Sequence, residues 1–181
     1  MHRLFVGIDP PFSVKDTLVA RMGGIIGARW QREDQLHLTL RFIGEVDTRQ
    51  ANDIAECLSG VRHPAFDVGL GAPGTFDRKG RIDTLWIAVS PAEPVKALHN
   101  KVDRALSRIG IAPETRAFLP HITLARFSRG AGSLDGYLSV AETVRPPSFR
   151  VDAFCLYESR LTHDGASYRV IERYPLAASS A

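Results

Sequence analysis

One tetrapeptide pattern occurs twice in this chain, as His37-Leu38-Thr39-Leu40 and as His121-Ile122-Thr123-Leu124. In an extended strand successive side chains point to opposite faces. Each copy therefore reads as a strand that turns His and Thr to one side and two aliphatic residues to the other. One face is suited to chemistry and the other to a core. The surroundings of the copies match as well. Pro10 lies 27 residues before His37 and Pro91 lies 30 before His121, while Phe66 and Phe149 follow their histidines by 29 and 28 residues. The order strand, proline, helix, motif strand, helix, strand fits both halves.

The elements behind that order come from periodicity and punctuation. Residues 3–9 form an apolar run stopped by Pro10-Pro11 and read as a buried strand. A helix is expected from Ser13, where Ser13 and Asp16 have capping-box spacing and Val14, Leu18, Met22 and Ile25 continue the stripe up to Gly27. The chain is then extended over 28–32, turns at Glu33-Asp34 and enters a motif strand over 36–43. Asp47 and Gln50 cap a second helix carrying Ile54, Ala55 and Leu58. Residues 66–70 alternate as a strand, 71–81 read as a long hairpin connection or mobile loop, and 83–90 as a strand. A third helix begins at Pro94, sets Val95, Leu98, Val102, Leu106 and Ile109 on one stripe and stops at Gly110. Residues 133–144 carry a weaker helical pattern. A strand over 149–157 pairs with one over 168–174 around Asp164-Gly165, and 177–181 form a frayed tail.

These elements predict an α+β fold in a single bilobal domain over 1–181. The internal repeat covers roughly 3–76 and 83–157, with a terminal hairpin strand at 168–174. Two antiparallel sheets would face a central cleft, with helices on the outer faces and pseudo-twofold symmetry between the lobes. With 181 residues and 44% hydrophobic content the chain can bury a real core. It has no run of about 18 apolar residues, so no spanning helix and no membrane partner is expected. The first residues enter strand-like sequence directly instead of a signal peptide, which points to the cytoplasm. Cys57 and Cys155 are too few for a disulfide framework or a structural zinc site and read as two buried thiols.

If both motif strands border one cleft, His37, His121, Thr39 and Thr123 converge there. Two imidazoles with ordinary pKa values near ~6.5 can act at neutral pH as one acid and one base. Two hydroxyls beside them offer donors to an anion. No nucleophilic Ser or Cys motif occurs, and the set suits in-line displacement at phosphorus. Catalytic zinc takes three protein ligands, and neither His-x-x-x-His nor Cys-x-x-Cys is present, so no metal and no cofactor is expected. Five residues beyond each histidine stand Phe42 and Arg126. Their planar faces can sandwich a base, provided a bulge brings them to the histidine face, since strict alternation puts them on the other. A direct contact of Arg126 with the phosphate and a solvated strand-end charge are the other two readings. The net charge of +3 favours an anionic partner. Of the 23 basic residues 19 are arginines, a bias that suits phosphates and bases but that arginine-rich codon usage produces equally well. His2, His63, His99 and His163 read as structural or solvated, Trp30 as core, and Tyr157 and Ser159 as packing and a turn.

The two motifs, in the contexts His37-Leu-Thr39-Leu-Arg-Phe-Ile-Gly-Glu and Pro-His121-Ile-Thr123-Leu-Ala-Arg126-Phe, resemble those of the 2H phosphoesterase superfamily. The opening Arg3-Leu-Phe-Val-Gly-Ile-Asp-Pro-Pro11 and the closing Leu156-Tyr-Glu-Ser-Arg-Leu161 resemble one branch, the RNA 2′,3′-cyclic phosphodiesterases, also called bacterial 2′,5′-RNA ligases. The resemblance implies a bilobal α+β fold and metal-independent opening of a terminal 2′,3′-cyclic phosphate to a 2′-phosphate. It implies His37 as proton donor, His121 as proton acceptor, Thr39 and Thr123 on the phosphoryl oxygens, and RNA ends or small nucleotides as partners of a monomer. The residues alone supply an acid and a base without saying which is which. A non-catalytic RNA- or nucleotide-binding module is the reading from another class. Within the enzymes, 2′,5′-linked oligonucleotides, an ADP-ribose cyclic phosphate and reversal as a ligase are the alternatives.

Overall fold

The computed structural model describes residues 1–141, 148–163 and 165–178. The elements run β1 (His2–Ile8), α1 (Phe12–Val19), β2 (Arg29–Trp30), a 3-10 turn (Glu33–Gln35), β3 (Leu38–Val46), α2 (Thr48–Ser59), β4 (Phe66–Arg78), β5 (Arg81–Ser90) and α3 (Ala92–Arg108). They continue with β6 (His121–Arg126), α4 (Asp135–Ala141), β7 (Ser148–Val151), β8 (Ala153–Thr162) and β9 (Gly165–Pro175). This is a mixed α/β fold whose strands pair antiparallel in the order β7-β4-β5-β6-β3-β1-β8-β9, with β2 added along β6.

The two sheets expected from the sequence are joined into this one path. The join is narrow: β3 and β6 share the single register pair Leu38↔Ile122, and both residues are 0% exposed. The core then extends through the helix stripes. Ile54 and Leu58 of α2 and Val95, Leu98, Val102 and Leu106 of α3 are fully buried in one cluster with the strand residues. Arg41 of β3 is buried among them. Its guanidinium pairs with Asp103 of α3 at 2.7 Å and donates to the carbonyls of Phe42 and Ala112. A buried charge is tolerated when paired and hydrogen-bonded, and here the pairing ties β3 to the segment that leads into β6.

Several expectations hold and others are corrected. Asp47 caps α2 as a reciprocal box, its carboxylate accepting from the Gln50 amide at 2.8 Å. The Ser13/Asp16 box does not form. Pro11 is the N-cap of α1, with no side-chain hydrogen bond, and the helix stops at Val19. Gly23 and Gly24, at φ 143° and 74°, take the chain out of helical geometry, yet Ile25 is still buried by the looser path. The 71–81 stretch is not a loop. Residues 71–78 continue β4, and the hairpin turns only at Lys79-Gly80. The register of β4 shifts between Leu70 and Pro73, an irregularity of the kind that accommodates proline within a sheet. Gly74 is required there, because a Cβ would lie 2.3 Å from the Trp86 ring across the pair.

The strand expected over 149–157 is broken at Asp152 into β7, which pairs with β4, and β8, which pairs with β1 and β9. The terminal hairpin forms as β8 and β9. Cys155 is buried and Cys57 half-buried, and both are free thiols. His99 is not on a solvated helix surface. It is buried, donates through Nδ1 to the Leu40 carbonyl at 2.7 Å and stacks on Phe118 at 4.1 Å. The part of the 133–144 helix reading beyond Ala141, Asp164 of the terminal turn and residues 179–181 of the tail lie outside the described residues.

Ile122 makes the only register pair between β3 and β6. Replacing it with alanine should destabilise the fold by about 2–5 kcal/mol, the cost of deleting a buried branched side chain without full collapse. Urea unfolding of the variant against the parent measures this, and a loss below ~1 kcal/mol would contradict the placement.

Candidate active site

Outward from the Leu38↔Ile122 pair, antiparallel counting sets His37 opposite Thr123 and Thr39 opposite His121. Leu38 and Ile122 face the core, so these four side chains share the opposite face. The two motif strands also have the same burial sequence. From His37 to Phe42 and from His121 to Arg126 the pattern is half-buried, buried, half-buried, buried, buried, exposed. Two buried residues in succession break the alternation, and the pairings give the reason. Against β1, Thr39 pairs with Gly7 and Arg41 with Val6, which leaves Leu40 as an extra residue. Against β5, Thr123 pairs with Trp86 and Ala125 with Leu85, which leaves Leu124 extra. Each motif strand thus has a bulge three residues beyond its histidine.

The consequence is parity. Phe42 pairs with Phe5, on the face of Gly7 and Thr39, and Arg126 pairs with Thr84, on the face of Trp86 and Thr123. Both residues are exposed on the side of the histidines. The bulge that the sequence argument needed is present twice.

Each histidine is oriented by the same device. His37 Nδ1 donates to the carbonyl of Gln35 at 2.7 Å, and His121 Nδ1 donates to that of Leu119 at 2.6 Å. A carbonyl only accepts, so Nδ1 carries the hydrogen in the neutral rings and Nε2 is left with its lone pair. Aromatic rings wall each imidazole. Phe5 lies 4.7 Å and Tyr168 5.0 Å from His37, and Tyr157 stacks on Phe5 at 4.7 Å. On the other side Phe76 meets the His121 ring edge-on at 5.0 Å and Trp86 lies at 5.8 Å. The Tyr157 hydroxyl and Trp86 Nε1 are buried without a hydrogen-bond partner of ordinary geometry among the described residues. Gly7 allows β1 to approach β3 closely here, because a Cβ there would lie 2.9 Å from the Leu38 carbonyl.

Burial in these walls lowers both histidines. His37 is pushed from 6.5 to about 4, chiefly by desolvation, and Asp9 works in the opposite direction. His121 is also lowered by desolvation, and no carboxylate raises it. The Arg126 guanidinium depresses both, which places one cation within electrostatic reach of the two rings. Asp9 is itself paired with Lys15 at 2.6 Å. Arg126 is lightly held, its Nη1 donating to Thr84 Oγ1 at 3.4 Å.

The topology therefore gathers His37, Thr39, Phe42, His121, Thr123 and Arg126 on one face. Trp30 packs on the core 5.7 Å from Tyr137, and Tyr157 packs on Phe5 at the edge of the site. Sequence reasoning missed Phe5, Phe76, Trp86, Tyr168 and the Asp9–Lys15 pair. Phe5 was within reach, because it shares strand parity with Gly7, but the distant rings depend on which strands become neighbours.

An antiparallel sheet carrying two His-x-Thr strands side by side, each with a free imidazole Nε2, is the arrangement of a two-histidine phosphoesterase. The chain belongs to the 2′-5′ RNA ligase superfamily, whose family model matches residues 27–162. It is 33% identical over 151 residues, 81% of this chain and 85% of the other, to a protein of Aeropyrum pernix named RNA 2′,3′-cyclic phosphodiesterase. Among solved structures it superposes with a TM-score of 0.82 on a Thermus thermophilus protein, at 25% identity over 98% of this chain and 100% of that one. It superposes with a TM-score of 0.79 on Escherichia coli LigT complexed with 3′-AMP, at 27% identity over 97% and 98% of the two chains.

The lowered His37 pKa has a thermodynamic signature. Between pH 6.5 and about 4 the unfolded chain binds a proton that the folded imidazole refuses, so this group's contribution to stability is lost as pH falls through that window. His37→Gln should reduce the stability difference between pH 7 and pH 4.5, measured by urea midpoints. An equal difference in both proteins would contradict the assignment.

Proposed function

We propose that this chain is an RNA 2′,3′-cyclic phosphodiesterase that opens a terminal cyclic phosphate to a 2′-phosphate. The observation that carries the reading is the matched pair of histidines, each fixed through Nδ1 with Nε2 free, on one face with two threonines. The names of the similar proteins support it. The Aeropyrum pernix relative is called RNA 2′,3′-cyclic phosphodiesterase, and the Escherichia coli structure was solved with a nucleotide phosphorylated at the ribose.

In this reading the cyclic phosphate sits between the motif strands. Thr39 and Thr123 donate to its non-bridging oxygens, and Arg126 offsets the charge that builds in the transition state. His121 Nε2 takes a proton from the attacking water as the new P–O bond forms. His37 Nε2–H gives a proton to the 3′ oxygen as its bond to phosphorus breaks. The two steps balance, leaving His37 neutral and His121 protonated, and exchange with solvent resets the pair. A neutral His37 in the free protein becomes an acid when the anionic substrate binds, since a nearby negative charge raises its pKa. Asp9 adds to that effect on His37 and has no counterpart at His121. This asymmetry supports His37 as donor and His121 as acceptor. Phe42, 59% exposed on the same face, offers a ring on which the terminal base stacks.

The repeat belongs to the same reading. Segments 3–76 and 83–157 are halves of an internal duplication, with 168–174 as an added hairpin strand. The common bulge, the common burial sequence and a strand order that extends equally from the β6–β3 junction support this. Both histidines come from one chain, so a monomer is sufficient for catalysis. By microscopic reversibility a 5′-hydroxyl in place of water runs the same chemistry toward a 2′,5′ linkage.

Incubation with an oligonucleotide ending in a 2′,3′-cyclic phosphate should give a 2′-phosphate. His37→Ala and His121→Ala should each lower kcat by roughly 10²- to 10⁴-fold. Recovery of intact cyclic ends despite tight, salt-dependent binding would replace the enzyme with a binding module. The pH profile of kcat/KM should be bell-shaped and describe the pair as a whole. Activity that depends on pH through a single ionisation would contradict the acid–base roles.

A further inference from the structure

The face that carries Arg126 does not end there. A groove of about 610 Å³ runs from Arg126 between the tip of the β4–β5 hairpin and residues 127–130, with Arg29 of β2 alongside. Its volume is that of a ligand cleft, typically ~300–1,000 Å³. Arg29, Arg78, Lys79, Arg81 and Arg126 line it, and Asp83 is the one carboxylate among its lining residues. The Asp83 carboxylate already accepts the Thr84 hydroxyl at 2.9 Å.

The strand register makes this charge more than a count. Arg78 pairs directly with Arg81 at the hairpin tip, and Arg29 pairs directly with Arg126. Like charges directly opposite across an antiparallel pair destabilise it. The turn between Arg78 and Arg81 is itself made by Lys79 at φ 55° and Gly80 at φ 74°, a left-handed pair in which a third cation takes the less favourable non-glycine position. Two opposed arginine pairs around one groove repel each other, and an extended polyanion lying between them would relieve that repulsion.

We propose that this groove holds the phosphodiester backbone of an RNA strand, on the 5′ side of the nucleotide whose cyclic end occupies the histidine site. The proposal rests on the function argued above. A cyclic phosphate terminates the chain, so the nucleotides left to be bound lie upstream. Arg126 stands at the junction, shared between the reacting phosphate and the first upstream one. The groove therefore selects oligonucleotide ends over cyclic mononucleotides, through phosphates and without reading sequence. A 5′-hydroxyl strand arriving for ligation has the same backbone chemistry, and a hydrolysis assay without a second strand separates the two.

The experiment compares 2′,3′-cyclic AMP with a tetranucleotide ending in a 2′,3′-cyclic phosphate, at 50 and 200 mM salt, for the parent, R78S/R81S and R78K/R81K. Contact with two phosphates gives a salt slope near −1.4 for a single strand, so parent kcat/KM on the tetranucleotide should fall roughly sevenfold between the two salts. R78S/R81S should lower it about tenfold at 50 mM and flatten the slope, with cyclic AMP kinetics unchanged. R78K/R81K should retain it, because a point charge is enough. Equal salt dependence on both substrates in the parent, or an unchanged tetranucleotide kcat/KM in R78S/R81S, would overturn the proposal. Loss confined to ligation with a 5′-hydroxyl strand would overturn the upstream assignment. If the parent opens neither substrate, the enzyme reading fails by itself. The groove is then judged from anisotropy of a 2′-phosphorylated tetranucleotide with the same three proteins, where identical affinities would reject it.

Discussion

The arrangement of the whole molecule depends on one backbone pairing, Leu38 against Ile122. It is the only register pair between β3 and β6, and it closes two groups of strands into one sheet. Because both side chains are fully buried, it also fixes which face the neighbouring residues take. A one-residue slip of either strand would turn its histidine into the core and its aliphatic residues into the cleft. The energetic penalty for that slip is the burial of the whole apolar face, which is why so short a junction can hold a site. Arg41 reinforces it from behind, since its bonds to Asp103 and to the Ala112 carbonyl hold the chain that approaches His121.

Just beyond the junction the two strands stop behaving as regular β-structure, each at the same place. The bulges at Leu40 and Leu124 let two consecutive residues face the core and return the next to the histidine side. Without them Phe42 and Arg126 would lie beneath the sheet. With them the face gains an aromatic ring at one end and a guanidinium at the other, so two strands alike up to the bulge present different chemistry beyond it.

Much of this was legible from the residues. The matched surroundings of His37 and His121 anticipated that the two motif strands lie side by side, and the i, i+2 rule gave the face that their histidines and threonines share. Asp47 and Gln50 announced α2, and the Val95, Leu98, Val102, Leu106 stripe gave the buried side of α3. What periodicity could not supply was determined by contacts distant in sequence. The 71–78 stretch, with Gly71, Pro73 and Gly74, carries every mark of a loop, but it is a strand because Trp86 lies over Gly74 and needs the missing side chain. The α1 pattern overran its helix because Met22 and Ile25 are apolar for packing and not for helicity. Tyr168 reaches His37 only because β9 pairs with β8 and β8 with β1, a chain of neighbours that no local window contains.

The remaining asymmetry concerns charge. Both imidazoles are held the same way and both are depressed by burial and by Arg126, yet only His37 has a carboxylate that opposes the shift. Asp9 follows Ile8, which pairs with Leu38, so the strand register that aligns β1 with the motif also brings Asp9 alongside His37. Lys15, one helical turn into α1, pairs with Asp9 and limits how far that carboxylate can act. A donor must be protonated before reaction and an acceptor must not be. In the proposed mechanism, a carboxylate beside one ring of a matched pair is the least change that would separate the roles. Asp9 stands between β1 and Pro10 where Ser90 stands before Pro91 at the end of β5, so the second half has no carboxylate at the matching position, and in the proposed mechanism this difference sets the direction of proton transfer.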